Sequence, residues 1–94
     1  MILMHLARYF LITGKVQGVG YRYFAMRAAN QYQISGYVRN LASGQVEIVA
    51  EGQREAMESF KKELAIGPYH AEVIQIEEKT LENTGRFQGF RIEY

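Results

Sequence analysis

The hydrophobic pattern of this chain passes from strand to helix, then through two strands to a second helix and back to strand, and that succession restricts the fold more than any single residue does. Arg8-Tyr9-Phe10-Leu11-Ile12-Thr13 is rich in aromatic and β-branched types and ends at Gly14, which suits a strand covered on both faces. From Tyr21 the period changes: Tyr21, Phe24, Ala25, Ala28 and Tyr32 fall on one helical face while Arg27, Asn30 and Gln33 point elsewhere, predicting a helix from about Tyr21 to Tyr32. Ser35 to Leu41 and Gln45 to Glu51 read as the arms of a hairpin joined across Ala42-Ser43-Gly44. In the second arm Val46, Ile48 and Ala50 share one face; Glu47 and Glu51 share the other, where alternation predicts solvated carboxylates. Arg54 to Ala65 turns Met57, Phe60 and Leu64 to one side, sets Glu58 and Lys62 at helical pair spacing, and stops at Gly67-Pro68. Two alternating runs, Glu72 to Lys79 and Gly89 to Tyr94, close the chain. The order is that of an α+β, ferredoxin-like βαββαβ sandwich: two helices on one face of an antiparallel sheet, with a short extra strand at the C-terminus.

At 94 residues, 48% of them hydrophobic, the chain suits one domain over residues 1–94 with one packed core. Met1 to Leu6 reads as an irregular lead, and Met4 offers a second in-frame start. The lead is too short for a signal-peptide core, and no stretch approaches the roughly 20 apolar residues of a membrane span, so the expectation is a cytoplasmic protein with no membrane partner. A net charge of +1 argues against a nucleic-acid protein that works by counterion release. Cysteine is absent, which removes disulfides, thiolate nucleophiles and zinc-thiolate sites. Aspartate is absent too, so aspartyl-phosphate chemistry and an Asp-based magnesium cage cannot be written. His5 and His70 fit no metal-ligand spacing, so neither metal nor cofactor is expected.

One segment has the composition of a binding site. Gly14-Lys15-Val16-Gln17-Gly18-Val19-Gly20-Tyr21-Arg22, between the first strand and first helix, holds three glycines before Tyr21 and no proline, so its backbone bends freely and every N–H stays available. Successive amides near a helix N-terminus favour an anion, and glycine lets phosphate approach the chain. Arg22 stands at the helix start, where a guanidinium can bind two phosphate oxygens at once. No Gly-Lys-Ser/Thr ends the loop, so ATP with magnesium is not implied. The same glycines would serve a plain tight turn with Arg22 in solvent, and the loop alone does not choose between these readings. Lys15 reads as an exposed loop cation.

That segment, followed by Gly36-Tyr37-Val38-Arg39-Asn40-Leu41 and the hairpin Ser43-Gly44-Gln45-Val46-Glu47, resembles the two signature regions of the acylphosphatases. Gly67-Pro68 and Phe90-Arg91-Ile92 are similar to weaker family features, so the likeness runs from about Ala7 to Tyr94 in one register. The resemblance implies a metal-independent hydrolase of the carboxyl-phosphate bond in small acyl phosphates, with inorganic phosphate as product. By position, Arg22 matches the family's phosphate-binding arginine and Asn40 the asparagine that holds the attacking water. The amides of Gln17, Gly18, Val19, Gly20, Tyr21 and Arg22 match its phosphate cradle. Tyr21 stands where phenylalanine is common, Tyr37 where tryptophan is frequent, and Gly20 where some relatives carry cysteine.

Two other readings compete with a monomeric enzyme. An RNA-recognition module shares the element order but needs aromatics in its third strand, where Val46-Glu47-Ile48-Val49-Ala50 offers aliphatics and an acid. A non-catalytic anion-binding regulatory domain would keep the cradle without turnover; the presence of both Arg22 and Asn40 favours the enzyme. Arg39, beside Asn40, belongs to the opposite sheet face by parity and stays outside the site.

Overall fold

The computed structural model describes residues 4–94. The chain forms strand β1 (His5–Lys15), helix α1 (Tyr21–Gln31), β2 (Ser35–Asn40), β3 (Val46–Gln53), helix α2 (Arg54–Ile66), β4 (Glu72–Leu81) and β5 (Phe90–Glu93). One sheet takes all five strands in the order β4-β1-β3-β2-β5. β1 pairs antiparallel with β3 and β4, and β2 antiparallel with β3. β5 adds to the outer edge of β2 in parallel, so the sheet is mixed rather than wholly antiparallel. The first strand is longer at both ends than its composition suggests. His5 and Leu6, expected in an irregular lead, pair with Gln53 and Gly52, whereas residues 1–3 of that lead lie outside the described residues. At the other end, Gly14 does not stop the strand: the register against β4 shifts between Thr13 and Gly14, a bulge, and pairing resumes to Lys15.

The core lies between the sheet and its two helices. Val46, Ile48 and Ala50 of β3 are fully buried with Phe10, Ile12 and Val38, and α2 meets them through Met57, Phe60 and Leu64, the face its spacing predicts. Phe60 stands edge-on to both Phe10 and Phe90, with ring centroids 6.3 and 5.9 Å apart, so the short fifth strand is anchored by aromatic packing. α1 contributes Tyr21, Ala25, Ala28 and Ala29, while Phe24 and Tyr32 sit at the margin, half-buried. The expected Glu58–Lys62 pair makes no salt bridge; Lys61 instead reaches Glu78 of β4, which also pairs with Arg8.

The helix-free face departs most from expectation. Glu47 and Glu51 do lie opposite Val46, Ile48 and Ala50, yet they are only 8% and 4% exposed rather than solvated. Glu47 accepts hydrogen bonds from the hydroxyls of Tyr9 (2.9 Å) and Tyr37 (3.2 Å) and from Arg39 Nε (2.6 Å). Glu51 is covered by the segment leading to β5, whose Thr84 N–H and hydroxyl and Gly85 N–H all donate to its carboxylate. Burial pushes the Glu51 carboxyl up, but those donors outweigh it and hold it below the ordinary glutamate range. Buried carboxylates this fully bonded are structural and have no free oxygen to offer a substrate.

Candidate active site

Residues 16–20 carry the chain from the end of β1 to the start of α1. Gly18 and Gly20 both adopt left-handed backbone (φ 74° and 79°), and Gly20 is the N-cap of α1. A Cβ at either would meet nothing within 4 Å, so glycine is needed there for its torsion, and the backbone lies open toward solvent. No side chain caps the helix and no acid stands in its first turn. The N–H groups of residues 17–23 donate no backbone hydrogen bond among the described residues; the first to do so is Phe24, to Gly20 O at 3.0 Å. The helix therefore presents its orphan donors and uncompensated dipole to whatever occupies the space above the loop.

That space is a cavity of about 240 Å³. Gly18, Gly20, Tyr21 and Arg22 line it from the loop and helix start, Asn40 from the end of β2, and Ile92 and Tyr94 from β5 and just beyond. Arg22 makes no hydrogen bond or ion pair among the described residues; its guanidinium carbon lies 4.8 Å from the centroid of the exposed Tyr94 ring. Asn40 is the last residue of β2 and shares the face of buried Val38. Its Oδ1 is buried and has no hydrogen-bond partner among the described residues. An unpaired buried acceptor costs about 1–3 kcal/mol, so its retention beside a cavity points to a donor that enters from that cavity. Arg39 turns to the other face and binds Glu47, as parity predicts.

The structure thus brings Arg22 and Asn40, eighteen positions apart in sequence, to one cavity with Gly18, Gly20 and Tyr21. Gln17 and Val19 do not line it. Val19 packs against the core, and Gln17 turns its amide side chain toward the β2–β3 hairpin, which leaves only their backbone N–H groups for a cradle. Sequence reading missed Ile92 and Tyr94, because the spacing within β5 does not reveal that this strand lies beside β2. It also missed the role of the Gln17 side chain. Lys15, His5 and His70 are exposed and away from the cavity lining.

Comparison with known proteins points to one family. A family model described as acylphosphatase matches residues 8–92. The chain is 46% identical over 82 residues to an acylphosphatase of Thermus thermophilus, covering 87% of this chain and 92% of that one. It is 44% identical over 94 residues to an acylphosphatase of Borrelia garinii subsp. bavariensis, covering 97% and 100%. Among solved structures, the crystal structure of the acylphosphatase from Bacillus subtilis superposes with a TM-score of 0.91 at 34% identity, covering 95% of this chain and 99% of that one.

Proposed function

The chain belongs to the acylphosphatase family and hydrolyses acyl phosphates to carboxylate and inorganic phosphate, and we propose that Arg22 and the loop amides hold the phosphate while Asn40 positions the attacking water. The observation that carries this assignment is the partnerless, buried Oδ1 of Asn40 in the same cavity as an arginine with no counterion. The acceptor suits a water hydrogen, and the cation and orphan amides suit a phosphate; the two ligands of a hydrolysis thus have separate places.

The chemistry explains why so few groups suffice. An acyl phosphate is a mixed anhydride whose leaving carboxylate is stable as an anion near neutral pH, so no general acid is required. Phosphoryl transfer through a loose transition state asks mainly for alignment and for stabilisation of charge on the peripheral oxygens. Arg22 supplies a two-pronged donor, the loop supplies fixed dipoles, and Asn40 aligns the water. A neutral amide is a poor base, so the water's proton passes to a phosphate oxygen of the substrate. We further propose that the molecule acts in the cytoplasm as a monomer without nucleic acid; a net charge of +1 and the acid buried in its helix-free face speak against a basic nucleic-acid surface.

Turnover of benzoyl phosphate by purified variants tests the assignment. Arg22→Ala is expected to lose roughly 10²- to 10³-fold in kcat/KM, and Arg22→Lys most of that, since lysine keeps the charge without the fork. Asn40→Ala is expected to lower kcat while leaving competitive inhibition by inorganic phosphate nearly unchanged. An Arg22→Ala enzyme working at the wild-type rate would overturn the role given to that residue.

A further inference from the structure

We infer that the Gln17 side chain is a positioning residue, one that fixes the place of Asn40 relative to the phosphate cradle; the inference rests on the roles proposed above for Asn40 and the loop. Gln17 lies within the loop, yet its Nε2 donates to Leu41 O at 2.8 Å and to Gln45 O at 2.9 Å. Both partners are carbonyl oxygens, so the amide nitrogen, with its two hydrogens, must be the atom that faces them. Leu41 directly follows Asn40, and Gln45 directly precedes Val46, the residue paired with Asn40 across the hairpin. One side chain from the cradle therefore grips both arms of the hairpin at the level of the asparagine.

The hairpin does not need Gln17 to close. Leu41 N–H donates to Gln45 O at 2.9 Å and Gly44 N–H to Leu41 O at 3.1 Å, so each carbonyl already has a partner and offers Gln17 only its second lone pair. A bond that is superfluous for closing the turn, but joins the two halves of a catalytic site, serves alignment. A second amide reinforces it: Gln45 Nε2 donates to Thr13 Oγ1 at 3.0 Å, tying the hairpin to β1 just before the loop begins. Two side-chain amides thus register the loop, the hairpin and the end of β1 to one another, and misplacement of a reacting group by about 1 Å can cost on the order of 10²-fold in rate.

The test is a double-mutant cycle with benzoyl phosphate, using Gln17→Met, which keeps the length and removes the donor, and Asn40→Ala. Gln17→Met is expected to keep the far-ultraviolet circular dichroism and the inhibition constant for inorganic phosphate, and to lower kcat roughly 10- to 100-fold. In the Asn40→Ala background the same change is expected to cost little more, because Gln17 acts through Asn40. Gln17→Asn keeps the amide on a shorter stem and is expected to fail like Met. Wild-type kcat in Gln17→Met, fully additive losses in the cycle, or loss of the fold would each overturn the inference. Wild-type kcat in Asn40→Ala would instead overturn the reading on which it stands.

Discussion

Replacing Tyr21 by phenylalanine removes a single oxygen, and the structure says what that oxygen does. Tyr21 opens α1 and is 1% exposed; its hydroxyl donates to Leu64 O at 2.7 Å, in the last turn of α2. A helical carbonyl at position 64 would ordinarily accept the N–H of residue 68, four further on, but residue 68 is proline and has none. The preceding carbonyl is served, since Gly67 N–H donates to Glu63 O at 2.9 Å. Leu64 is fully buried, so water is a poor substitute. Tyr21→Phe therefore deletes a bond worth about 1 kcal/mol net and leaves a buried acceptor whose desolvation costs about 1–3 kcal/mol. Taking about 2 kcal/mol for the whole change, and about 4–8 °C per kcal/mol for a domain this small, Tm should fall roughly 8–16 °C. The same environment raises the phenol's pKa above the ordinary tyrosine value, because burial disfavours the anion. Urea unfolding followed by circular dichroism is the assay, with the slope m unchanged and the midpoint lowered. A loss of less than about 0.5 kcal/mol would show that the carbonyl finds another partner and that this account of the α1–α2 contact is wrong.

Two further outcomes are expected. Gly14→Ala should destabilise the fold by more than about 2 kcal/mol, because its φ of 141° suits glycine and an added Cβ would lie 2.0 Å from Glu72 O; an unchanged urea midpoint would contradict the bulge geometry. Alkali should loosen the helix-free face. Burial, and then the hydrogen bond to Glu47, raise the Tyr9 phenol from 10.0 to about 12, so its contribution to stability is complete below pH 10 and is lost as pH rises toward about 12. In Tyr9→Phe the decline in urea midpoint over that interval should be shallower than in wild type, and an identical slope would refute the linkage.

How far the sequence disclosed this molecule depended on whether a feature leaves a periodic trace. The inward face of α2 was legible because Met57, Phe60 and Leu64 recur at helical spacing, and the inward face of β3 because Val46, Ile48 and Ala50 alternate. Alternation also put Glu47 and Glu51 on the correct face, but parity does not say what covers a face. The cover comes from Tyr9, Tyr37 and the segment around Thr84, and residues 82–89, which precede β5, have no period to read. The parallel docking of β5 on β2 was likewise invisible, and with it the share of Ile92 and Tyr94 in the cavity. In the site itself, glycine content and Arg22 disclosed an anion loop without deciding its use. Asn40 entered through family resemblance alone, since one asparagine at a strand end carries no chemical signature. The Gln17 side chain was unreadable for another reason: its partners are backbone carbonyls 24 and 28 residues away, and every residue type has a carbonyl.

The distribution of charge clarifies how so neutral a chain can select an anion. Arg8 is held by Glu78, Arg39 by Glu47 and Arg91 by Glu93, so these guanidinium charges are offset where they stand. Arg22 has an aromatic face beside it and no ion pair among the described residues, and no acidic side chain lines its cavity. A ring offers a cation modest attraction, about 0.5–1 kcal/mol at an exposed site, without competing for its N–H donors the way a carboxylate would. With a net charge of +1 there is little long-range field to draw substrate in. Selection then rests on contact: orphan amides at a helix start and one uncommitted guanidinium, in a cavity that no acidic side chain lines among the described residues. Placing an acid within reach of Arg22 would undo that selection without touching any residue that contacts the phosphate.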